Sequence, residues 1–464
     1  MNADTHPSFS RRQVLKTTSS GFGYLAFSAL SGLAAQGAHG ATSNNPLAPK
    51  PSQFPARAKR VIFLAMQGGP SHLDTFDYKP QLTKDNGKAA RGFAKLLGSP
   101  FEFSQHGESG LPISELFPEV AKHADDLCLI NSMHTDIPNH PQATTQMHTG
   151  NFQFVRPSLG AWTLYGLGTE NDSLPGFITL SPPNGAQNYG SAFLPAIYQG
   201  TPIGKQARNR FVPQESQGAV KNIKNPKLSS DLQRAQLDFI KSLNEEKLAR
   251  DTFHPDVEGI IESYELAFRM QDELPNVLDL AGEPQSIRDL YGVDDRTTGA
   301  FARQCLSARR LAESGVRFIQ LNHGNWDHHR NLKAGLEQNC GEIDKPIAAL
   351  LEDLKQRDML KDTLVMWGGE FGRTAHGQSI NGRDHNNKGY TMWMAGGGVK
   401  GGQRYGATDE HGAQAVLDKV HIHDWHATIL HLLGLNHEAL TYRYAGRDFR
   451  LTDVHGEVIK GIVA

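Results

Sequence analysis

The stretch "HGNWDHHRN", residues 323–331, places three histidines and one aspartate within seven positions. Imidazoles and carboxylates at that density are costly unless they are solvated, paired or bound to something. Asp327 and His329 stand two apart, so an extended segment points both side chains the same way. Asp and His together bind zinc, manganese or iron, while carboxylates with water suit magnesium or calcium. A hydrogen-bonded Asp–His pair on a loop would use the same two residues.

Two glycine-rich stretches carry similar chemistry. "GGEFGRTAHG" holds Glu370, Arg373 and His376, and "NGRDHNNKG" holds Arg383, Asp384 and His385. Glycine lets backbone approach a ligand closely, and a guanidinium holds an anionic oxygen in a two-pronged fork. Arg373 and Arg383 are therefore candidates for an anion clamp, with structural salt bridges as the alternative. "GGPSHLDTFD" offers Ser71, His72, Asp74 and Asp77. Asp77 precedes "YKP" and suits a cap or turn, which leaves Asp74 as the candidate ligand. In "DIPNHPQATTQMHTG", Asn139 is placed to cap a helix opening on His140 and Pro141. The N-terminus of that helix would attract an anion, while His148, deeper in it, reads as a packing residue.

Such residues need a scaffold that brings them together. "RVIFLAMQGG" and "LCLINSMH" are continuous apolar runs of the kind found in buried strands. Further on, "GAFARQCLSARRLAES" predicts a helix stopped by Gly315, and "VRFIQLN" a strand. "IDKPIAALLEDLKQRDML" and "TLVMWGGEF" repeat the pair. Helices alternating with apolar strands imply an α/β fold, its largely parallel central sheet covered by helices on both faces. Ligands in such sheets bind beyond the carboxyl ends of the strands. "VRFIQLN" runs into "HGNWDHH", "TLVMWGG" into Glu370, and "RVIFLAMQGG" into Asp74, so three strand ends deliver acid or imidazole. Residues from about 213 to 300 are more charged and helical in period, and read as an elaboration of one domain covering 58–464. Within them Leu232, Ala235, Phe239 and Leu243 fall on one face, and "DVEGIIESYELAFRM" repeats the pattern between Pro255 and Pro275.

Other signals are negative. A formal charge of −2 gives no general attraction to nucleic acid or anionic membrane. The cysteines, Cys128, Cys305 and Cys340, are odd in number and widely spaced, so they form no disulfide framework and read as buried thiols. "GGGVKG" matches G-x-G-x-x-G, but turn-like residues follow it where a dinucleotide site needs a helix. "VHIHDWHATILHLLGL" reads as an amphipathic helix capped by Asp424, with structural roles for His421 and His423. At the N-terminus, "SRRQVLK" is a twin-arginine pattern followed by a short apolar run and small residues. It predicts a Tat signal over residues 1–40, a linker at 41–57, and a periplasmic or otherwise exported protein. Tat carries folded cargo, in keeping with a cofactor acquired before export. No segment predicts a permanent membrane span.

The order of these parts resembles the alkaline phosphatase superfamily, which includes sulfatases, phosphodiesterases and phosphomutases. "FLAMQGGPSHLD", "NHPQATTQMHTG", "WDHH", "TLVMWGGEFG" and "DWHATILHLLG" follow one another as that superfamily's metal loop, nucleophile helix, Asp/His pair, acidic turn and closing helix do. More closely, "GGPSHLDTFDYKP", "GGEFGRT" and "GRDHN" behind a Tat signal resemble the exported sulfatase-like proteins grouped as domain of unknown function 1501. The resemblance spans residues 58 to 440. It implies an alkaline phosphatase/sulfatase-like fold with a helical insertion. Two departures stand out: the chain has no C/S-x-P-x-R motif for formylglycine, and Glu370-Phe371-Gly372 replaces Asp-His-Gly. Counting back from "TG" puts the nucleophile position at or beside His140, and the displaced histidine ligand falls to His385.

The resulting expectation is metal-assisted hydrolysis of a phosphate or sulfate ester, on a small molecule or a glycan. One or two divalent ions (zinc, manganese, calcium or magnesium) would be held by Asp74, Asp327, His329, Glu370 and His385. Arg373 or Arg383 would clamp the remaining oxygens. His140 would be nucleophile, general base or a further ligand. The alternatives are a metal-containing binding protein for sulfated or phosphorylated glycans, and a structural exported protein.

Overall fold

A computed structural model describes residues 45–464 apart from 91, 184, 205–227, 251–254 and 378, and leaves the side chains of 245–250 and 255–262 undescribed. The predicted signal segment therefore lies outside the described residues, as does part of the linker. Nine strands form the main sheet: β1 (Arg60–Met66), β2 (Leu127–His134), β3 (Phe177–Leu180), β4 (Thr201–Ile203), β5 (Phe318–His323), β6 (Thr363–Gly368), β7 (Tyr390–Ala395), β8 (Gln403–Tyr405) and β9 (Val420–His421). Their order is β8-β2-β7-β6-β1-β5-β3-β4, with β9 also paired to β2. Every pairing is parallel except those of β7, which runs antiparallel to both β2 and β6. The main helices are α1 (His140–Thr149), α2 (Leu159–Leu167), α3 (Ser230–Arg250), α4 (Pro255–Leu278), α5 (Gly299–Glu313), α6 (Leu332–Gln356) and α7 (Ile422–Leu432).

Burial explains why the strands lack polar alternation. In β1, Ile62, Leu64 and Met66 face the layer built by α5 and α6, while Val61, Phe63 and Ala65 face that of α2 and α7. Both faces are closed, so every residue from Val61 to Met66 is buried. Each such large aliphatic or aromatic side chain contributes roughly 1.5–3 kcal/mol of transfer free energy. The expected α/β architecture, with helices on both faces of a largely parallel sheet, is what the chain adopts. Cys128, Cys305 and Cys340 are free thiols buried in these layers.

The helical elaboration differs in detail. On α3, Leu232, Phe239 and Leu243 are half or more exposed, so the face predicted to pack is turned outward. The contact to α4 includes an ion pair instead, Arg234 to Glu265 at 2.6 Å. α4 runs through Pro275 to Leu278, and Leu274 and Val277 at that end reach the core. α6 starts at Leu332, well before the "IDKP" segment, and carries Pro346 within it. α7 is capped by the His421 side chain, which accepts from the His423 N–H. Asp424 is not the cap but its reciprocal partner, accepting from the His421 N–H at 2.8 Å. Asn139 holds the N-cap position of α1 without a side-chain capping bond. Among the described residues, no helix is long and apolar enough to cross a membrane.

Candidate metal centre

The carboxyl ends of β6, β1 and β5 lie side by side, with β2 reaching the same edge. β2 leads into α1 and puts His140 in its first turn. β5 leads into the loop carrying Asp327 and His329. β6 leads to Glu370, and then to a two-stranded pair in which Arg373 lies opposite His385.

The Oδ1 of Asp327 is the focus. It lies 3.3 Å from Nε2 of His140, 3.1 Å from Nε2 of His329 and 3.2 Å from Nε2 of His385. His140, Asp327 and His385 each offer one ligand atom, all within 4.8 Å of one another. The opposite ring nitrogens are all fixed. His140 Nδ1 lies 2.6 Å from Glu370 Oε1, His329 Nδ1 3.1 Å from Asp384 Oδ1, and His385 Nδ1 2.9 Å from the carbonyl of Pro138. Carboxylates and carbonyls only accept, so each Nδ1 must donate, and a neutral ring then presents a lone pair at Nε2. The Nε2 atoms of His329 and His385 stand 2.9 Å apart, a distance that needs a proton or a cation between two lone pairs. Nε2 of His140 is buried and makes no hydrogen bond. Imidazoles held from behind by carboxylate or carbonyl, with their free nitrogens converging on a carboxylate, fit a divalent metal.

The electrostatics agree with that donor set. Burial pushes the Asp327 carboxyl up, but the hydrogen bond and charge of Arg373, with His140 and His385, outweigh it and hold the group below the usual carboxylate range. Burial pulls the His140 imidazole down, yet Glu370 and Asp327 together raise it. Burial first, then the charges of Arg373 and His140, lower His385.

The structure separates the predicted residues into two groups. His140, Asp327, His329 and His385 come together. Glu370 stands behind His140, 1% exposed, and also accepts from the Gly68 N–H at 3.0 Å, so it positions the His140 ring and does not converge on the shared oxygen. Arg373 is fully buried. It donates to Asp327 at 2.6 Å and to the carbonyls of Gly68 and Gly69, which leaves no fork for a substrate anion. Asp74 and Arg383 are not in the site. Both are fully buried, and two guanidinium nitrogens meet the two carboxylate oxygens at 2.7 and 3.0 Å. The remaining bonds of that guanidinium go to the carbonyls of Leu97 and Thr374. The salt-bridge alternative therefore holds for Arg383. Of the histidines in 323–331, His323 pairs with Glu342 at 3.0 Å and His328 is buried against Gly335 of α6, so His329 alone joins the cluster.

Sequence reasoning noted Asp384 without giving it a role, and passed over Gly68 and the Pro138 carbonyl. Asp384 sits directly before His385, and an acid adjacent to a histidine was the available signal. Gly68 has φ +113°, and a Cβ there would lie 2.8 Å from the Asp327 backbone nitrogen. Only glycine lets the end of β1 pass this close to the ligand loop.

A family described as "Protein of unknown function (DUF1501)" matches residues 58–463. The chain belongs to the DUF1501 family. That match takes in the whole histidine–aspartate cluster of this DUF1501 protein and the buried Asp74–Arg383 pair. No curated protein matches the sequence. Among solved structures, similarity extends to a sulfatase from Pseudoalteromonas sp., at 14% identity over 82% of this chain and 68% of that one, TM-score 0.30. A phosphonate monoester hydrolase from Silicibacter pomeroyi is similar at 11% identity over 81% and 73%, TM-score 0.39. A TAB5 alkaline phosphatase mutant with magnesium bound is similar at 11% identity over 73% and 91%, TM-score 0.28. Likeness of this degree transfers no residue role and no reaction to the DUF1501 chain.

Proposed function

We propose that this protein is an exported, metal-dependent hydrolase of phosphate or sulfate esters. The observation that carries the metal is the convergence of three imidazole Nε2 atoms on Asp327 Oδ1, each ring held from behind. His140, Asp327 and His385 would hold a divalent ion, with His329 beside them. Bound there, such an ion supplies Lewis-acid polarisation of an ester oxygen. The ester class comes from the order of motifs shared with the alkaline phosphatase superfamily.

The chain's own residues divide the remaining work. Arg373 keeps Asp327 ionised. Glu370, Asp384 and the Pro138 carbonyl hold the three rings in one tautomer. His329 is the most open of the three imidazoles, with 42% of its side chain exposed, and is placed to exchange a proton with an attacking water. A cleft of about 580 Å³ bounded by His140, Asp327 and Glu370 receives the ester.

Elemental analysis of protein purified without added metal tests the centre, with Asp327→Ala alongside. One or two ions per chain, lost in the variant, support it; no ion after soaking in zinc, manganese, magnesium and calcium removes it. A screen of aryl phosphates and aryl sulfates then tests the reaction. In that screen, His140→Ala that keeps its metal but loses hydrolysis would take His140 out of the ligand set. Export is tested by fusing residues 1–41 to a reporter. Accumulation outside the cytoplasm should stop when Arg11 and Arg12 are changed to lysine.

A further inference from the structure

Away from His140, Asp327 and Glu370, the polar wall of the cleft beside the histidine cluster is uncharged. Gln67, Gln187, Asn188 and Asn325 line it with Thr144 and Thr145, and no lysine or arginine among the described residues does. Asn188 stands out. It is only 8% exposed, yet its side-chain amide has no hydrogen-bond partner among the described residues. With no such partner, the amide opens onto the cleft and is free to pair with whatever enters it.

Gln187 also borders a second depression of about 760 Å³, whose wall includes Phe193 and Tyr444. These two rings stack with centroids 5.2 Å apart and planes 16° apart. Tyr444 is 50% exposed. The platform is braced from behind, because Phe193 also packs on Tyr442 and Phe449. Arg156 and Arg447 lie over the Phe449 ring at 5.1 and 4.9 Å. A packed aromatic surface therefore continues from the amides and hydroxyls of the cleft.

An amide donates and accepts at once, as a hydroxyl does. A sugar ring also carries C–H groups on its faces that stack on aromatic rings, which present a negative π face. We propose that the groove from the histidine cluster, past Gln187, to Phe193 and Tyr444 binds an uncharged oligosaccharide, the hydroxyl-rich part of the ester substrate. The proposal rests on the hydrolase reading for its reactive end, but binding along the groove needs no ion.

The test titrates the full chain, before and after chelation, with maltotetraose, cellotetraose, laminaritetraose, mannotetraose and chitotetraose. Sulfated maltotetraose and a pool of uncharged hexapeptides serve as comparisons. At least one neutral sugar should bind, with or without metal. Tyr444→Ala and Asn188→Ala should each weaken that binding roughly tenfold. Asn188→Ala should melt no lower than the parent, since no partner is lost, and a merely structural Asn188 would show the opposite. Failure of every sugar to bind, binding indifferent to both substitutions, or tighter binding of the sulfated sugar or the peptides would overturn the proposal. Sugar binding by a chain that takes up no metal would sink the hydrolase reading alone; metal and hydrolysis without sugar binding would sink only this one.

Discussion

Glu370→Gln probes the proposed centre through a side chain that holds the His140 ring without converging on the shared oxygen. Glu370 is 1% exposed and receives the His140 Nδ1–H at 2.6 Å and the Gly68 N–H at 3.0 Å. Glutamine keeps the volume and one accepting oxygen but removes the charge. An imidazole donating to an amide oxygen is a poorer base at Nε2 than one donating to a carboxylate. Loss of such a partner costs about 10- to 100-fold in metal affinity, or about 1.4–2.7 kcal/mol. Glu370 also raises the His140 pKa, so in acid the substitution removes a competing proton as well. The comparison therefore belongs at alkaline pH, where the His140 ring has lost that proton. Chelated protein and variant would be titrated with zinc and with manganese by calorimetry. Equal affinities would refute the assignment of Glu370 as the support of a ligand histidine.

Asp74→Ala should leave metal uptake unchanged while costing roughly 3–5 kcal/mol in urea unfolding, because Arg383 would stay buried without its counter-ion. Gly68→Ala forces a Cβ to within 2.8 Å of the Asp327 nitrogen at a φ of +113°, and should lower both stability, by roughly 1–3 kcal/mol, and metal affinity. Burial lowers the pKa values of His148 and His426 to about 3. The unfolded chain takes up these protons below about 6.5 and the folded chain does not, so stability falls as pH falls, and keeps falling until about 3. Each histidine should remove about 2 kcal/mol between pH 7 and pH 5. Denaturant unfolding across that range checks this, and His148→Leu should flatten the slope.

Local pattern was enough for the scaffold. β1, β2, β5 and β6 are closed on both faces, so their sequences are mostly apolar, with Asn131, Ser132, Gln320 and Asn322 as buried polar exceptions, and the residues just past them were easy to place at one edge of the sheet. The direction of β7 was not legible, since "YTMWMA" is equally apolar in a parallel or an antiparallel strand. The site divided along the same line. Asp327, His329, His385 and His140 were recognisable as chemical groups near strand ends. Which arginine neutralises which acid was not, because Arg373 and Arg383 sit in similar glycine-rich loops and only the fold brings one to Asp327 and the other to Asp74. Glu370 and Asp384 look like ligands in sequence. Which nitrogen of each imidazole faces them decides their supporting role, and a residue string does not carry ring orientation. The exposed apolar face of α3 shows the same limit: its period is helical, but period alone names no partner.

The antiparallel course of β7 has a consequence for how this chemistry can change. β6 leaves the sheet at Gly368, and β7 re-enters beside it at Tyr390. Everything between them is therefore one excursion from a single edge, with no crossover to the far side. Glu370, Arg373, Asp384 and His385 all ride on it. That segment is a cassette. Grafting in a different excursion with the same two anchor points would exchange half of the centre without rethreading the sheet, provided it kept Arg383 opposite buried Asp74 and the Asn381 carbonyl that receives the first N–H of α6.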